Sequence, residues 1–163
     1  MTIAASVTDH LIREGVAYEV ITHEHTRDSN HSAEAAHIPG DQLAKCVMLE
    51  DGKGYLMAVV PATHKVDLGA VHRQLNRKLG LATERELADL FKDCDPGAIP
   101  PLGQAYGMET ILDDGLNCSR DVYFEAGDHE ALVHVKGEDF LRLMGHALRG
   151  EISHHVGDHG RVW

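Results

Sequence analysis

The chain has 163 residues and a net charge of −11, from 15 basic and 26 acidic side chains, with 43% apolar but only 5% aromatic residues. That length suits one domain with a real core, and the core must be aliphatic rather than aromatic. The charge argues against long-range attraction to nucleic acid from the molecule as a whole, and the longest apolar run, Tyr55 to Pro61, is far short of the roughly 20 residues a membrane helix needs.

In chain order, Ile3, Val7 and Leu11 at spacing four predict an amphipathic helix ending near Gly15, and the opening residues lack the positive cluster of a secretory leader. Val16 to Ile21 predicts a strand, and Asn30 to His37 a short helix stopped by Pro39-Gly40. Leu43 to Leu49 and Tyr55 to Val60 flank Asp51-Gly52, a hairpin signal. Asp67 is placed to cap a helix with Leu68, Val71, Leu75 and Leu79 on one face, closed by Gly80. Thr83-x-x-Glu86 has capping-box spacing before Leu87, Leu90 and Phe91. Met108 to Leu112 predicts a strand, followed by Asp121 to Glu125 and Ala131 to Val135 as a second hairpin turning at Gly127-Asp128. A last helix carries Phe140, Leu143, Met144 and Leu148 as one stripe. Tight hairpins among helices predict a mixed α/β (α+β) domain over 1–163 with antiparallel pairs, not a pure doubly wound sheet.

Four features carry chemistry. Lys45 sits in LAKCVML, with Val47 and Leu49 on its own side and Cys46 and Met48 on the other. Either it snorkels from a strand end, or it aims a cation into a cleft to meet an anionic or carbonyl-bearing ligand. The stretch DCDPGAIPPLG, residues 93–103, holds three prolines and two glycines. It is either an ordinary turn or a stiff wall on which a few N–H groups, those of Ala98 and Ile99 above all, are aimed as an oxyanion site. His129, in Gly127-Asp128-His129, is a solvated turn residue or a ring turned into a neighbouring cleft. Finally, Arg73, Arg77 and Lys78 lie in a run without an acid, a solvated helix face or a seat for phosphates.

Other chemistries find little support. Cys46, Cys94 and Cys118 are odd in number and form no CxxC pair, which points to reduced thiols rather than a disulfide framework or a cysteine zinc site. His23, His25, His154, His155 and His159 lack metal-ligand spacing, so no metal is expected. No GxSxG elbow is present, which favours an attacking water over a protein nucleophile.

Lys45 in LAKCVML, the AVVPATHKVDL stretch, Gly97-Ala98-Ile99-Pro100-Pro101 and the GDHEAL turn, in this order, resemble the YbaK/prolyl-tRNA-synthetase-associated family of aminoacyl-tRNA editing domains. The resemblance runs from about residue 3 to residue 148 and leaves a tail at about 150–163 without a role. It implies a compact YbaK-like sheet wrapped by helices, and a cytoplasmic hydrolase, free of cofactors, that cleaves the ester of a mischarged tRNA. By the same resemblance Lys45 is the functional lysine, Gly97 and Pro101 end the Gly-x-x-x-Pro loop, and His129 lies beside the aminoacyl group. The implied partner is the aminoacyl-tRNA 3′ end; with so acidic a chain, either the Arg73, Arg77 and Lys78 patch does the docking or an aminoacyl-tRNA synthetase helps deliver the substrate. The alternative of another class is a non-catalytic module that binds tRNA or a nucleotide and regulates a synthetase.

Overall fold

The two most apolar stretches become β2 (Leu43–Glu50) and β3 (Tyr55–Pro61), which bury side chains on both faces and pair antiparallel at the centre of the sheet. The computed structural model describes residues 3–26, 29–95, 97–117 and 119–156. Asp51 builds the β2–β3 turn: its Oδ1 accepts from the N–H groups of Lys53 and Gly54 at 3.0 and 3.1 Å, and Gly52 takes a φ of 82°.

Around this pair the sheet runs β1 (Glu19–Thr22), β8 (Ala131–Lys136), β7 (Asp121–Glu125), β2, β3, β6 (Thr110–Asp113), β9 (Leu148–Gly150), and β5 (Gly80–Leu81) pairs with the end of β2. β1–β8, β8–β7, β2–β3 and β2–β5 are antiparallel, whereas β2–β7, β3–β6 and β6–β9 are parallel. The expected mixed, mostly antiparallel sheet is what forms. Its helices are α1 (Ala5–Glu14), α2 (Ser29–Ala35), α3 (Leu68–Leu75), α4 (Glu84–Leu90) and α5 (Gly137–Met144). None of them is long and apolar enough to cross a membrane among the described residues.

Alternation along β2 sorts the core. Ala44 and Met48 face a large cluster closed by Val7 and Leu11 of α1 and by Phe140, Leu143 and Met144 of α5. Val47 and Leu49 face the other way, onto a cluster with Val71 of α3 and Ile152. Leu43, on that same second face, packs with Ala62, Leu132 and Ala33 of α2. Each fully buried Leu or Phe here is worth about 1.5–3 kcal/mol.

Several predicted boundaries move. Strand β1 begins at Glu19, because Val16 turns into the core directly after the Gly15 cap. Strand β6 starts at Thr110 and not at Met108, whose N–H donates to the Gly103 carbonyl at 2.8 Å. Helix α3 stops at Leu75, not at Gly80: Asn76 adopts the left-handed region at φ 53° and returns its N–H to His72. Residues beyond it lead instead into β5. Helix α5 stops at Met144, since Gly145 leaves helical geometry at φ 50°, so Leu148 is a half-exposed strand residue and no part of the apolar stripe.

The tail is no appendage as far as Val156. Its strand β10 (Ser153–His155) pairs with β4 (His64–Val66), and Ile152 is fully buried. Asp113, itself buried, accepts from the N–H groups of Ile152 at 2.9 Å and Gly115 at 2.8 Å, locking that segment down. Residues 157–163, with His159, and also Cys118 lie outside the described residues.

Candidate active site

Lys45 is the third residue of β2 and only 5% exposed, so a side chain merely snorkelling from a strand end does not describe it. It shares its face with Leu43, Val47 and Leu49, between the two apolar clusters of that side. Burying an ammonium there costs several kcal/mol without compensating polar groups. Compensation comes from the neighbouring strand. Leu43 and Ala44 pair in parallel with Tyr123 and Phe124, so one step further Lys45 and Glu125 stand side by side on the same face. Glu125 is 2% exposed.

Four residues on, the β7–β8 turn places His129 at 3% exposure, which rules out a solvated turn residue. Its Nδ1 lies 3.7 Å from Glu125 Oε1. The turn is held from within by Asp128, whose Oδ1 accepts from Glu130 and Ala131 N–H at 2.9 and 3.1 Å. It is held from outside by Thr26, whose N–H donates to the His129 carbonyl at 3.2 Å. His129 itself sits at φ 58°, a left-handed conformation that costs a non-glycine residue about 1–3 kcal/mol and tends to mark functional sites. The His25 ring meets that of His129 edge-on at 5.9 Å. Residues 23–26 thus wall this end of the sheet.

The Gly-x-x-x-Pro loop is tied to the same turn. Asp95 donates its N–H to the Gly127 carbonyl at 2.7 Å. Gly127, at φ 114°, takes a conformation that L side chains rarely adopt, and a Cβ there would press on Ala4 Cβ at 3.2 Å. Gly97 is exposed at the loop tip with φ 78°, while Ala98, Ile99 and Pro101 are buried beneath it. One expectation needs correcting. The Ala98 N–H donates to the Asp95 carbonyl at 3.1 Å, closing a turn, and is not an open donor. Among the described residues, the N–H groups of Gly97 and Ile99 make no such bond. A cavity of about 490 Å³ opens beside the loop, lined by Leu87, Phe91, Cys94, Gly97 and Ile99; Lys45 and His129 do not line it.

The basic run also divides. Arg77 lies beyond the end of α3 and donates through Nε to Asp51 Oδ2 at 3.0 Å, with Nη1 3.5 Å from Glu109. That guanidinium holds the Asp51 carboxyl down at about 2. Arg77 is therefore occupied by two acids, whereas Arg73 and Lys78 are exposed.

The thiols are poor nucleophiles. Burial pushes Cys46 well above the ordinary thiol range and Cys94 up to about 12, so thiolate is scarce near neutral pH. Cys46 lies on the face opposite Lys45, as alternation requires. Among the described residues, no three His, Cys, Asp or Glu side chains converge on a metal-sized site. Glu125 is the residue that sequence reading missed. Its signal was present as an acid between Phe124 and Ala126, yet nothing local distinguishes it from a strand-end glutamate facing water.

Fold and site define an α/β domain whose buried lysine, glutamate and histidine meet at one end of a mixed sheet. Residues 23–143, well over half of the chain, match the aminoacyl-tRNA editing domain, and the protein belongs to that family. A solved structure described as "a putative trans-editing enzyme for prolyl tRNA synthetase" superposes with a TM-score of 0.80 at 25% identity, covering 93% of this chain and 96% of that one. The "hypothetical protein APE2540" matches at a TM-score of 0.80 and 18% identity, over 91% of this chain and 99% of that one. A "putative signal transduction protein" from Marinobacter aquaeolei VT8 shares the fold at 0.77 and 21% identity, over 93% of this chain but 31% of that longer one. No curated protein matches the chain.

Proposed function

We propose that this protein is a trans-acting aminoacyl-tRNA deacylase that hydrolyses the ester of a mischarged tRNA in the cytoplasm. The observation that carries the reading is the burial of Lys45 beside the His129 turn, in a chain of the editing family. A water attacks the ester carbonyl, the bond from that carbon to the ribose oxygen breaks, and the water's proton ends on the ribose hydroxyl. Lys45 contacts the terminal adenosine's phosphate or the ester region. The N–H groups of Gly97 and Ile99 hold the carbonyl oxygen as it turns anionic, and Pro101 keeps the loop from yielding. His129 bonds the aminoacyl group or the attacking water. Arg73 and Lys78 meet the tRNA phosphates, and a synthetase, with prolyl-tRNA synthetase the first to try, supplies the substrate.

The direct test is deacylation of a panel of mischarged tRNAs by the wild type and by Lys45→Ala. At least one substrate should be hydrolysed, and the variant should be slower by about 10²-fold, as loss of a group that positions the substrate allows. Equal rates would remove Lys45 from the reaction. Binding without turnover on every tRNA would favour a regulatory module instead.

A further inference from the structure

We propose that the cavity between α4 and the Gly-x-x-x-Pro loop receives the 3′-terminal adenosine of the tRNA, with Glu84 and Asp95 accepting from the adenine's exocyclic amine. The proposal rests on the deacylase reading and places one half of its substrate. The cavity encloses about 490 Å³, within the range of about 300–1,000 Å³ usual for small-molecule pockets. Its apolar wall comes from Leu87 and Phe91 on the α4 side and from Ile99 of the loop. Glu84, Lys92 and Asp95 supply its charged groups, and all three are exposed.

Both walls are fixed without a ligand. Asp93 accepts from Ser6 Oγ at 2.9 Å and from the Tyr106 hydroxyl at 3.0 Å, which ties the start of the loop to α1 and to the segment before β6. Phe91 meets the Tyr106 ring edge-on at 4.8 Å. On the other side, Thr83 and Glu86 close the first turn of α4, and Glu86 Oε2 accepts from Tyr55 of β3 at 2.7 Å. A pocket held in this way has little freedom left to lose on binding.

The placement follows from the two sides of the ester. The loop touches both regions: Asp95 N–H reaches the Gly127 carbonyl at 2.7 Å, two residues before His129, while Gly97 and Ile99 line the cavity. With the ester carbonyl on the Gly97 and Ile99 N–H groups and the aminoacyl group toward His129, the ribose must leave on the other side. That side is the cavity. Lys45 does not line it, so on this placement Lys45 serves the ester region and not the adenosine's phosphate. The phosphate leaves past Lys92 at the rim. A terminal base is unpaired and offers a flat face to an apolar wall, the usual way in which single-stranded RNA ends are read. Carboxylates only accept hydrogen bonds, which selects a base edge that donates, as the adenine amine does and the hypoxanthine carbonyl does not.

The test titrates adenosine, inosine and cytidine, all uncharged, into the full 15N-labelled chain and follows its assigned amide signals. Adenosine should move the amides of Leu87, Gly97 and Ile99. Inosine, which lacks the amine, and cytidine, which is too small to reach both walls, should bind about tenfold more weakly. Ala88 is exposed and lines the cavity, so Ala88→Trp should fill it and abolish these shifts. For a mischarged tRNA that variant should raise KM about tenfold with kcat nearly unchanged, the mark of a lost binding contact. Glu84→Ala combined with Asp95→Ala should bind adenosine and inosine equally. Adenosine shifts that lie elsewhere, or none at all, overturn the proposal, as does equal binding of adenosine and inosine by the wild type. An unchanged KM in Ala88→Trp does the same. If that variant does not fold, an unchanged preference for adenosine in the double alanine variant decides in its place. Hydrolysis of a mischarged tRNA with a cavity silent to adenosine leaves the deacylase standing without this site. Adenosine bound in the cavity of a protein that hydrolyses no mischarged tRNA supports the site and overturns the deacylase.

Discussion

His134 shows how one side chain can tie stability to pH. Burial alone would lower its pKa, but Asp121 at 2.9 Å from Nε2 and Glu19 at 3.2 Å from Nδ1 outweigh burial and raise it. A raised folded pKa means that this contribution is complete below the unfolded value of 6.5 and is lost as pH climbs through the folded one. Glu19 is 77% exposed, so solvent screening keeps the contribution to about 0.5–1 kcal/mol. His134→Gln should therefore be less stable than the wild type at pH 6, and the gap should narrow by pH 9. Urea denaturation at the two pH values measures it. A gap that widens with pH would contradict the assignment. Some difference should persist at both, because the ring also stacks on Tyr123 at 4.5 Å.

At the scale of the element, α4 depends on its first turn. Thr83 Oγ1 accepts from Glu86 N–H at 3.2 Å, and Glu86 Oε1 accepts from Thr83 N–H at 3.1 Å, completing the box that Thr83-x-x-Glu86 spells. Glu86 Oε2 also accepts from Tyr55 at 2.7 Å, fastening the helix start to β3. Thr83→Ala should cost about 1 kcal/mol in denaturant unfolding, the usual loss for an N-cap threonine. A loss below a few tenths of a kcal/mol would mean that Tyr55 and Glu86 hold the helix start without the cap. Caps and turns of this sort were readable from the chain because they are written in three or four consecutive residues. The ends of α3 and α5 were not. The apolar pattern runs on through Leu79 and Leu148, yet Asn76 and Gly145 leave helical geometry first, and pairing of Gly80–Leu81 with β2 then takes the chain elsewhere.

For the molecule as a whole, the acidity sets the terms on which it meets a polyanion. With Arg77 committed to Asp51 and Glu109, only Arg73 and Lys78 of the basic run remain for phosphates. On the proposed tRNA reading, contacts through these two predict a shallow dependence of tRNA affinity on salt, with a log–log slope of about −2 or less steep. Fluorescence titration at several salt concentrations would check it. A slope steeper than about −4 would place the docking surface elsewhere. Weak long-range attraction also fits the proposal that a synthetase hands over the substrate.

Local order was already determined by the sequence: both hairpins, the capping residues of α3 and α4, the alternation that sets Lys45 opposite Cys46, and the residues that mark the editing family. These depend on period and on neighbours a few residues apart, which a single chain displays. Only the tertiary structure decided which polar groups are buried and with whom. Glu125 becomes a partner of the site because β7 lies parallel beside β2, a pairing of segments about eighty residues apart. Ala98 loses its open N–H to a turn, Arg77 is claimed by Asp51 and Glu109, and the tail acquires a strand through Asp113 and β4. Each of these follows from a distance between residues that are remote in the chain, and no local pattern encodes such a distance.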